Sequence, residues 1–89
     1  MTLSIHKTYI KDLKKANLNQ TNLTKLFIYV SMLLNNQTLP PEARDHQLKG
    51  ELKDFREFHI SGDLIVLYSI RNNTLQLLRI GSHSELFKG

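Results

Sequence analysis

The sequence predicts an α+β domain in which two N-terminal helices pack against a small antiparallel sheet. Two amphipathic segments occupy the first 40 residues, and three short apolar segments separated by turn residues follow in the second half. Helices followed by strands with short connections are typical of this class. The chain has 89 residues and no cysteine, which is enough for one core and excludes a disulfide framework. We therefore expect residues 1–89 to form a single domain.

The N-terminal half is predicted to contain one strand and two helices. Residues 2–6 alternate in polarity, as a short edge strand does. Apolar residues recur at helical spacing over residues 8–17, and Thr8 is a suitable N-cap. A second helix is predicted from about residue 21 to residue 34. Its apolar stripe is expected to be core and consists of Leu23, Leu26, Phe27, Val30, Leu33 and Leu34.

The C-terminal half is predicted to be a three-stranded meander. Residues 37–54 form a long, mostly irregular connection, and such loops in small domains are often functional. Residues 55–60 alternate in polarity, residues 64–70 are almost continuously apolar, and residues 74–80 form the last strand. The segments between these strands contain Ser-Gly-Asp and Arg-Asn-Asn, which favour tight turns.

Imidazoles and carboxylates are predicted to converge at one end of this meander. Glu57 and His59 share a face of their strand, and Asp63 lies across the turn that follows. His83 follows the last strand, whose end lies near the start of the middle strand in an antiparallel meander. His46 lies in the loop that leads into the same edge. Taken singly, each residue could be a packed histidine or a turn former, so the prediction depends on their coincidence.

This cluster suits proton transfer near a phosphodiester. Imidazole exchanges protons in both directions near neutral pH, and Lys and Arg bind phosphate. Lys49, Lys53 and Arg56 lie between the histidines in the sequence. A zinc or non-haem iron site is the alternative, but helical metal-binding spacings are absent and the basic neighbours would oppose a cation. The interpretation is an RNA-cleaving site that needs no metal or cofactor.

The charge distribution favours a polyanionic or acidic partner. The net charge is +4, and residues 1–40 contain five lysines and one acidic residue. A solvated helix face explains this charge equally well. The first fifteen residues contain no apolar segment like that of a signal peptide, and no segment reaches the roughly 20 apolar residues that span a bilayer. We therefore expect a cytoplasmic protein with no membrane partner.

The chain resembles the YafQ-type toxins of the RelE/ParE superfamily, which are the mRNA-cleaving components of bacterial type II toxin–antitoxin pairs. The resemblance rests on four pieces in order along nearly the whole chain. They are Asp45-His46 with Gly50, then Arg56-Glu57 with His59 and Asp63, then Leu67-Tyr68 in the central strand, and finally Gly81-Ser82-His83-Ser84-Glu85-Leu86-Phe87. The order and spacing of these pieces are more specific than any one of them.

The resemblance implies a RelE-like fold and metal-independent cleavage of mRNA in the ribosomal A site. It also implies a small acidic antitoxin partner of the DinJ/RelB type. By motif, the catalytic set is His46, His59, Asp63 and His83, with Glu57 where the family has an acid and Phe87 where it has an aromatic residue. His83 would act as the general acid, and Asp63 or His59 as the base or its orienting group.

The resemblance also suggests roles for the basic residues. Four of them would stabilise phosphate charge, namely Lys49, Lys53, Arg56 and Arg79. Four lysines of the first helix would hold ribosomal RNA, namely Lys7, Lys11, Lys14 and Lys15.

Two other functions remain open from the sequence. A ParE-like toxin would keep the fold and inhibit DNA gyrase by binding alone, and it would have no need for three histidines at one edge. A general RNA-binding protein would be expected to present stacked aromatic residues, but Tyr9, Tyr29 and Tyr68 are widely spaced.

Overall fold

The computed structural model describes residues 1–87 and confirms the predicted α+β fold. A strand and two helices come first, and a loop with two 3₁₀ turns leads to the remaining strands and a short final helix. In chain order the elements are β1 (Thr2–Ile5), α1 (Lys7–Ala16), α2 (Gln20–Leu34), β2 (His46–Gln47), β3 (Arg56–Ser61), β4 (Leu64–Arg71), β5 (Thr74–Ser82) and α3 (His83–Leu86). The 3₁₀ turns are Pro41–Ala43 and Gly50–Leu52.

The sheet is mixed and has the strand order β1-β5-β4-β3-β2. Strands β3, β4 and β5 form the predicted antiparallel meander, and β1 lies at an edge as predicted. β1 pairs with β5 in parallel, however, from Thr2 opposite Thr74 to Ile5 opposite Leu77. The expectation of a wholly antiparallel sheet is therefore corrected at this edge. A parallel pair needs a long crossover connection, and the rest of the chain between β1 and β5 supplies it.

A fifth strand lies within the loop that was predicted to be irregular. β2 pairs His46 with Glu57 and Gln47 with Arg56. Two residues are too few for an alternating pattern to be recognised in the sequence. The pairing nevertheless fixes His46 directly across from Glu57.

The core lies between the two long helices and one face of the sheet. Tyr9 of α1 and Leu26, Tyr29 and Leu33 of α2 are buried there. The sheet contributes seven fully or almost fully buried residues to this core, namely Phe58, Ile60, Val66, Tyr68, Leu75, Leu77 and Ile80. Burial raises the pKa of Tyr9 to about 12, so its phenol stays protonated in the core.

The apolar stripe of α2 is only partly core. Leu26 and Leu33 are buried, but Leu23 is exposed and Phe27 is 78% exposed. Leu23 and Phe27 line an open groove of about 370 Å³, together with Leu3 and Ile5 of β1 and other apolar residues of both long helices. The helical period identified the apolar face correctly but did not show how much of it the rest of the fold covers.

The helix caps and turns also differ in detail from the sequence analysis. His6 caps α1 in place of the predicted Thr8, since its Nδ1 accepts a hydrogen bond from the Thr8 N–H. The β4–β5 turn is as predicted, because Asn72 and Asn73 both adopt positive φ, 52° and 56°. None of the helices in residues 1–87 is long and apolar enough to cross a membrane.

Candidate active site

The register of the meander brings the predicted site residues together. Leu64 pairs with Ser82, so the start of β4 lies beside the end of β5. Asp63 immediately precedes β4 and His83 immediately follows β5, and the backbone N–H of His83 donates to Asp63 Oδ1 over 3.3 Å. The convergence expected from the sequence is therefore present.

Helix α3 sets the position of His83. The last strand was predicted to end at residue 80, but β5 continues through Gly81 to Ser82, and a one-turn helix follows. Ser82 and Glu85 form a reciprocal capping box. A Cβ on Gly81 would lie 3.2 Å from both Glu85 Oε1 and Leu86 Cδ2, so glycine allows α3 to pack closely on β5. His83, the first residue of this helix, is thereby held over the sheet.

Glu57 is the centre of the site. Its side chain is only 3% exposed, and its Oε2 lies 3.2 Å from His59 Nε2 and 3.1 Å from His83 Nε2. His46 Nε2 is 3.8 Å from the same oxygen. Three imidazoles from three segments therefore share one buried carboxylate oxygen. Glu57 was predicted to lie in the site, but its position between the three imidazoles was not.

His83 lies between two carboxylates. Its Nδ1 is 2.9 Å from Asp63 Oδ1, and its Nε2 is 3.1 Å from Glu57 Oε2. The hydrogen bond to Asp63 raises the pKa of His83 above its ordinary value; partial burial opposes this, and the bond to Glu57 adds to it. The same contact lowers the pKa of Asp63. Both carboxylates thus favour the protonated form of His83 more than water does.

The aromatic rings of the site form a row. His46 and His59 lie 6.5 Å apart between centroids, and His59 and His83 lie 5.4 Å apart. Phe87 continues the row, 5.9 Å from the ring of His83 with 29° between the planes. Phe87 is 38% exposed, so the outer end of the row is open to solvent.

The predicted phosphate-binding cations do not enter this cluster. Arg79 makes a two-bond ion pair with Asp12 of α1, with distances of 2.6 and 3.1 Å. Arg56 Nε lies 3.3 Å from Asp45 Oδ1 and 3.2 Å from the Tyr68 hydroxyl. Both guanidinium groups are therefore engaged with carboxylates elsewhere. A pattern of basic residues along the sequence cannot show which of them a nearby acid will neutralise.

The remaining predicted cations are exposed. Lys49 and Lys53 lie in the loop, on either side of the 3₁₀ turn Gly50–Leu52. Lys7, Lys11, Lys14 and Lys15 are all exposed on α1. Near the end of α1, Lys15 lines an open cavity of about 320 Å³ together with Ser84 and Glu85 of α3. The basic helix therefore adjoins the element that carries His83.

Two residues outside the predicted set hold the loop against the site. Asp45 accepts hydrogen bonds from the Tyr68 hydroxyl and from Arg56. Arg44 Nη2 lies 3.2 Å from His59 Nδ1, and the Arg44 carbonyl accepts from His46 Nδ1 over 2.7 Å. No sequence pattern indicated Arg44, because it lies in a loop without periodicity. Its contact with His59 exists only after the loop has folded back onto β3.

Comparison with known proteins identifies the chain. Residues 1–88 match the family model described as a bacterial toxin of type II toxin–antitoxin systems, YafQ. The chain belongs to the YafQ toxin family. This membership confirms the resemblance on which the motif analysis rested. The family match covers the elements that carry every residue of the proposed site.

Three relatives show how close this likeness is. The mRNA interferase toxin YafQ of Escherichia coli K12 is 35% identical over 80 residues, which cover 89% of this chain and 87% of that protein. A metal-bound toxin from Helicobacter pylori has a TM-score of 0.86 at 46% identity, over 98% of this chain and 99% of that one. YafQ in the E. coli DinJ–YafQ complex has a TM-score of 0.84 at 30% identity, over 96% of each chain.

The site also has donors that could hold a metal ion. Glu57, His59 and His83 each offer one ligand atom, and the three atoms lie within 4.8 Å of one another. Imidazole nitrogen with carboxylate oxygen suits zinc or copper. The metal-free site stays a prediction.

The contacts of His83 predict its titration. Asp63, Glu57 and His59 face this imidazole, and its pKa should lie above the ordinary 6.5. A raised folded-state pKa stabilises the protein fully below pH 6.5, and this stabilisation is lost as the pH rises through the raised value. Asp63→Asn should move the His83 pKa towards 6.5, as measured by NMR titration of the ring. Asp54→Asn, which removes a distant exposed acid, should leave the pKa of His83 unchanged. A pKa of His83 at or below 6.5 in the wild-type protein would contradict this prediction.

Proposed function

We propose that this chain is an endoribonuclease toxin that cleaves mRNA on the ribosome and is held inactive by a cognate antitoxin. The observation that carries the proposal is a pair of histidine–carboxylate dyads facing each other, Glu57 with His59 and Asp63 with His83. The E. coli relatives named mRNA interferase toxins support the same activity. A gyrase inhibitor that acts by binding alone would have no need for these dyads, so the ParE-like alternative is less well supported.

The two dyads suit the two proton transfers of RNA cleavage. RNA supplies its own nucleophile, the 2′-hydroxyl, which needs a base, and the leaving 5′-oxygen needs an acid. Asp63 accepts a hydrogen bond from Nδ1 of His83, so the proton on Nε2 is the one that His83 would donate as the acid. Glu57 holds Nε2 of His59, which leaves Nδ1 as the basic nitrogen. The products would be a 2′,3′-cyclic phosphate and a 5′-hydroxyl.

The other predicted site residues have supporting positions. His46 lies beside His59, with its Nδ1–H bonded to the Arg44 carbonyl and its Nε2 facing Glu57. We infer that it adds positive charge near the phosphate when it is protonated. Phe87 is exposed at the open end of the ring row, where it can stack on a base of the mRNA.

A metal ion is not required for this chemistry. Glu57, His59 and His83 would be the ligands of a transition metal, as their donor types and spacing allow. A metal bound there would act as a Lewis acid and would occupy the nitrogens that move protons in the proposed reaction. We therefore propose that the acid–base reaction is carried out by the side chains alone.

Removing either proposed proton carrier should abolish cleavage. We expect His59→Ala and His83→Ala each to reduce cleavage about 100-fold or more, because general acid–base catalysis contributes about that factor. The measurement is primer extension on a reporter mRNA in a translation extract, with naked mRNA alongside. His6→Asn is the control, since it keeps an N-cap on α1 far from the site. Intact mRNA with the wild-type protein, or full cleavage by both variants, would contradict the proposal.

We further propose that the lysines of α1 bind ribosomal RNA. Four exposed lysines lie on this helix, and its C-terminal end adjoins α3 through the cavity beside Lys15. A cationic surface next to the active site would hold the toxin against the RNA of the A site. This placement also implies that the protein acts in the cytoplasm, where the ribosomes are.

Reversing two of these charges should weaken ribosome binding. Lys11→Glu with Lys14→Glu should reduce co-sedimentation with ribosomes, and the loss should depend strongly on salt because phosphate contacts release counterions. The matched control is Lys11→Arg with Lys14→Arg, which keeps both charges and should bind as the wild type does. If the charge-reversed variant binds normally at low salt, this face of α1 is merely solvated.

We propose that the antitoxin docks in the apolar groove between β1, α1 and α2. YafQ of E. coli is found in complex with DinJ, and this chain belongs to the same family. Exposed apolar surface of this kind marks a protein interface, and Phe27 is its most exposed large residue. The lysines of α1 would complement the acidic character that the family leads us to expect of the partner.

A charge in this groove should disrupt the complex. Phe27→Asp should weaken binding of the cognate antitoxin at least about tenfold, as expected for a buried aromatic anchor. Ile28→Asp is the matched control, since Ile28 is a neighbouring exposed residue that does not line the groove. Calorimetric titration would measure both affinities, and mRNA cleavage by both variants should match the wild type. Equal affinities for the two variants would show that the antitoxin binds elsewhere.

A further inference from the structure

The proposed reaction needs a permanent cation near the phosphate, and the predicted arginines and lysines do not enter the histidine cluster. Negative charge develops on the phosphate during cleavage, and donors fixed near that charge are among the largest contributors to catalysis. Three of the four arginines have carboxylate partners: Arg56 with Asp45, Arg71 with Asp54 and Arg79 with Asp12. Within residues 1–87, Arg44 has no carboxylate within ion-pair distance. Its guanidinium is instead the cation that touches the histidine cluster.

The contact of Arg44 defines the protonation of His59. A guanidinium can only donate hydrogen bonds, so His59 Nδ1, 3.2 Å from Arg44 Nη2, must be the acceptor. The proton of the neutral His59 ring then lies on Nε2, facing Glu57 Oε2 at 3.2 Å. The nitrogen that would act as the base therefore has a free electron pair, and Arg44 covers it.

The backbone at Arg44 has an unusual conformation that neighbouring hydrogen bonds hold in place. Arg44 follows the 3₁₀ turn Pro41–Ala43 and has a φ of +46°, a left-handed conformation that is unfavourable for a residue with a Cβ. Its N–H donates to the Pro41 carbonyl over 3.0 Å, and its own carbonyl accepts from His46. The next residue, Asp45, is anchored by Tyr68 and Arg56. Strained conformations persist when the surroundings hold them in this way, and they cluster at functional sites.

We propose that Arg44 binds the scissile phosphate and, in moving onto it, uncovers the basic nitrogen of His59. This inference rests on the proposed nuclease function. Guanidinium bonds to phosphate are charge-assisted and frequently bidentate, and they are roughly twice as strong as bonds between neutral groups. A phosphodiester entering the site therefore competes successfully with Nδ1 of His59 for the Arg44 side chain. The base is thus protected in the free toxin and becomes available only when RNA is bound.

The proton and bond changes of the step balance without a co-reactant. The 2′-hydroxyl proton moves to His59 Nδ1, and the 2′-oxygen forms a bond to phosphorus. The bond between phosphorus and the 5′-oxygen breaks, and that oxygen takes the proton from His83 Nε2. His59 then carries two protons, with Nε2–H still bonded to Glu57. Arg44 stabilises the charge on the non-bridging oxygens throughout.

The resting contact can be tested without any nuclease activity. In ¹⁵N-labelled wild-type protein, long-range ¹H–¹⁵N spectra should show His59 with Nε2 protonated and Nδ1 bare but hydrogen-bonded. Adding inorganic phosphate at low salt should shift the Nδ1 resonance, as Arg44 leaves it. Arg44→Ala should remove both the hydrogen-bonded character of Nδ1 and its response to phosphate. Arg71→Ala, which alters an arginine paired with Asp54, is the matched control and should behave as the wild type.

Cleavage provides the second measurement. Arg44→Ala should lower the rate about 100-fold in the translation extract, as loss of one transition-state donor does. Arg44→Lys should recover part of that loss, because lysine keeps the charge but not the two-pronged geometry. Arg71→Ala should stay within about twofold of the wild type.

Failure of the Arg44 proposal and failure of the proposed nuclease function would give different results. Wild-type-like cleavage by Arg44→Ala would overturn the Arg44 proposal and leave the nuclease function intact. A wild-type protein that does not cleave mRNA would overturn the function, and the phosphate titration would still decide whether Arg44 binds phosphate. A His59 ring protonated on Nδ1 in the free protein, or a phosphate response unaffected by Arg44→Ala, would overturn the Arg44 proposal in either case.

Discussion

A single buried carboxylate, that of Glu57, is the constraint on which the site depends. A buried charge is costly unless hydrogen bonds and opposite charges compensate it. Here the compensation comes from imidazoles on β3, on α3 and in the loop at β2, all directed at one oxygen. The contacts between these imidazoles and Glu57 therefore help to hold each of the three segments in place. The same convergence places His83 between two carboxylates and beside His59, which is the arrangement that our acid–base proposal uses.

The sheet makes this convergence possible. β2 sets His46 opposite Glu57, and the β3–β4 turn returns the chain so that Asp63 lies immediately before the next strand. The pairing of Leu64 with Ser82 then brings α3 over the same end. Antiparallel strands joined by short turns have little freedom in register, because a shift by one residue would turn every core side chain towards solvent. The core residues Phe58, Val66 and Ile80 therefore also fix the geometry of the site on the opposite face.

The cations of the protein fall into two groups with different uses. Arg56 and Arg79 form ion pairs that hold the loop and α1 in place. Burial would raise the pKa of Asp12, but the hydrogen bonds from Arg79 and the Ile80 N–H outweigh it and lower the value, so this acid stays charged beside its arginine. The α1 lysines and Arg44 remain available for a ligand, the lysines as an exposed face and Arg44 within the histidine cluster. In our proposals the first group maintains the structure and the second binds RNA.

Sequence patterns were enough to predict the α+β class, the meander, the edge position of β1 and the convergence of Glu57, His59, Asp63 and His83, because periodicity and turn residues act over a few neighbouring positions. It did not predict the two-residue strand β2, the parallel pairing of β1, the one-turn helix α3 or the exposed half of the α2 stripe. These depend on what each segment meets after folding. The same is true of the arginines. In the folded chain Arg56 and Arg79 bind carboxylates, while Arg44 contacts His59. Sequence patterns could not predict these contacts, because they join residues that are far apart in the chain or that an irregular loop positions.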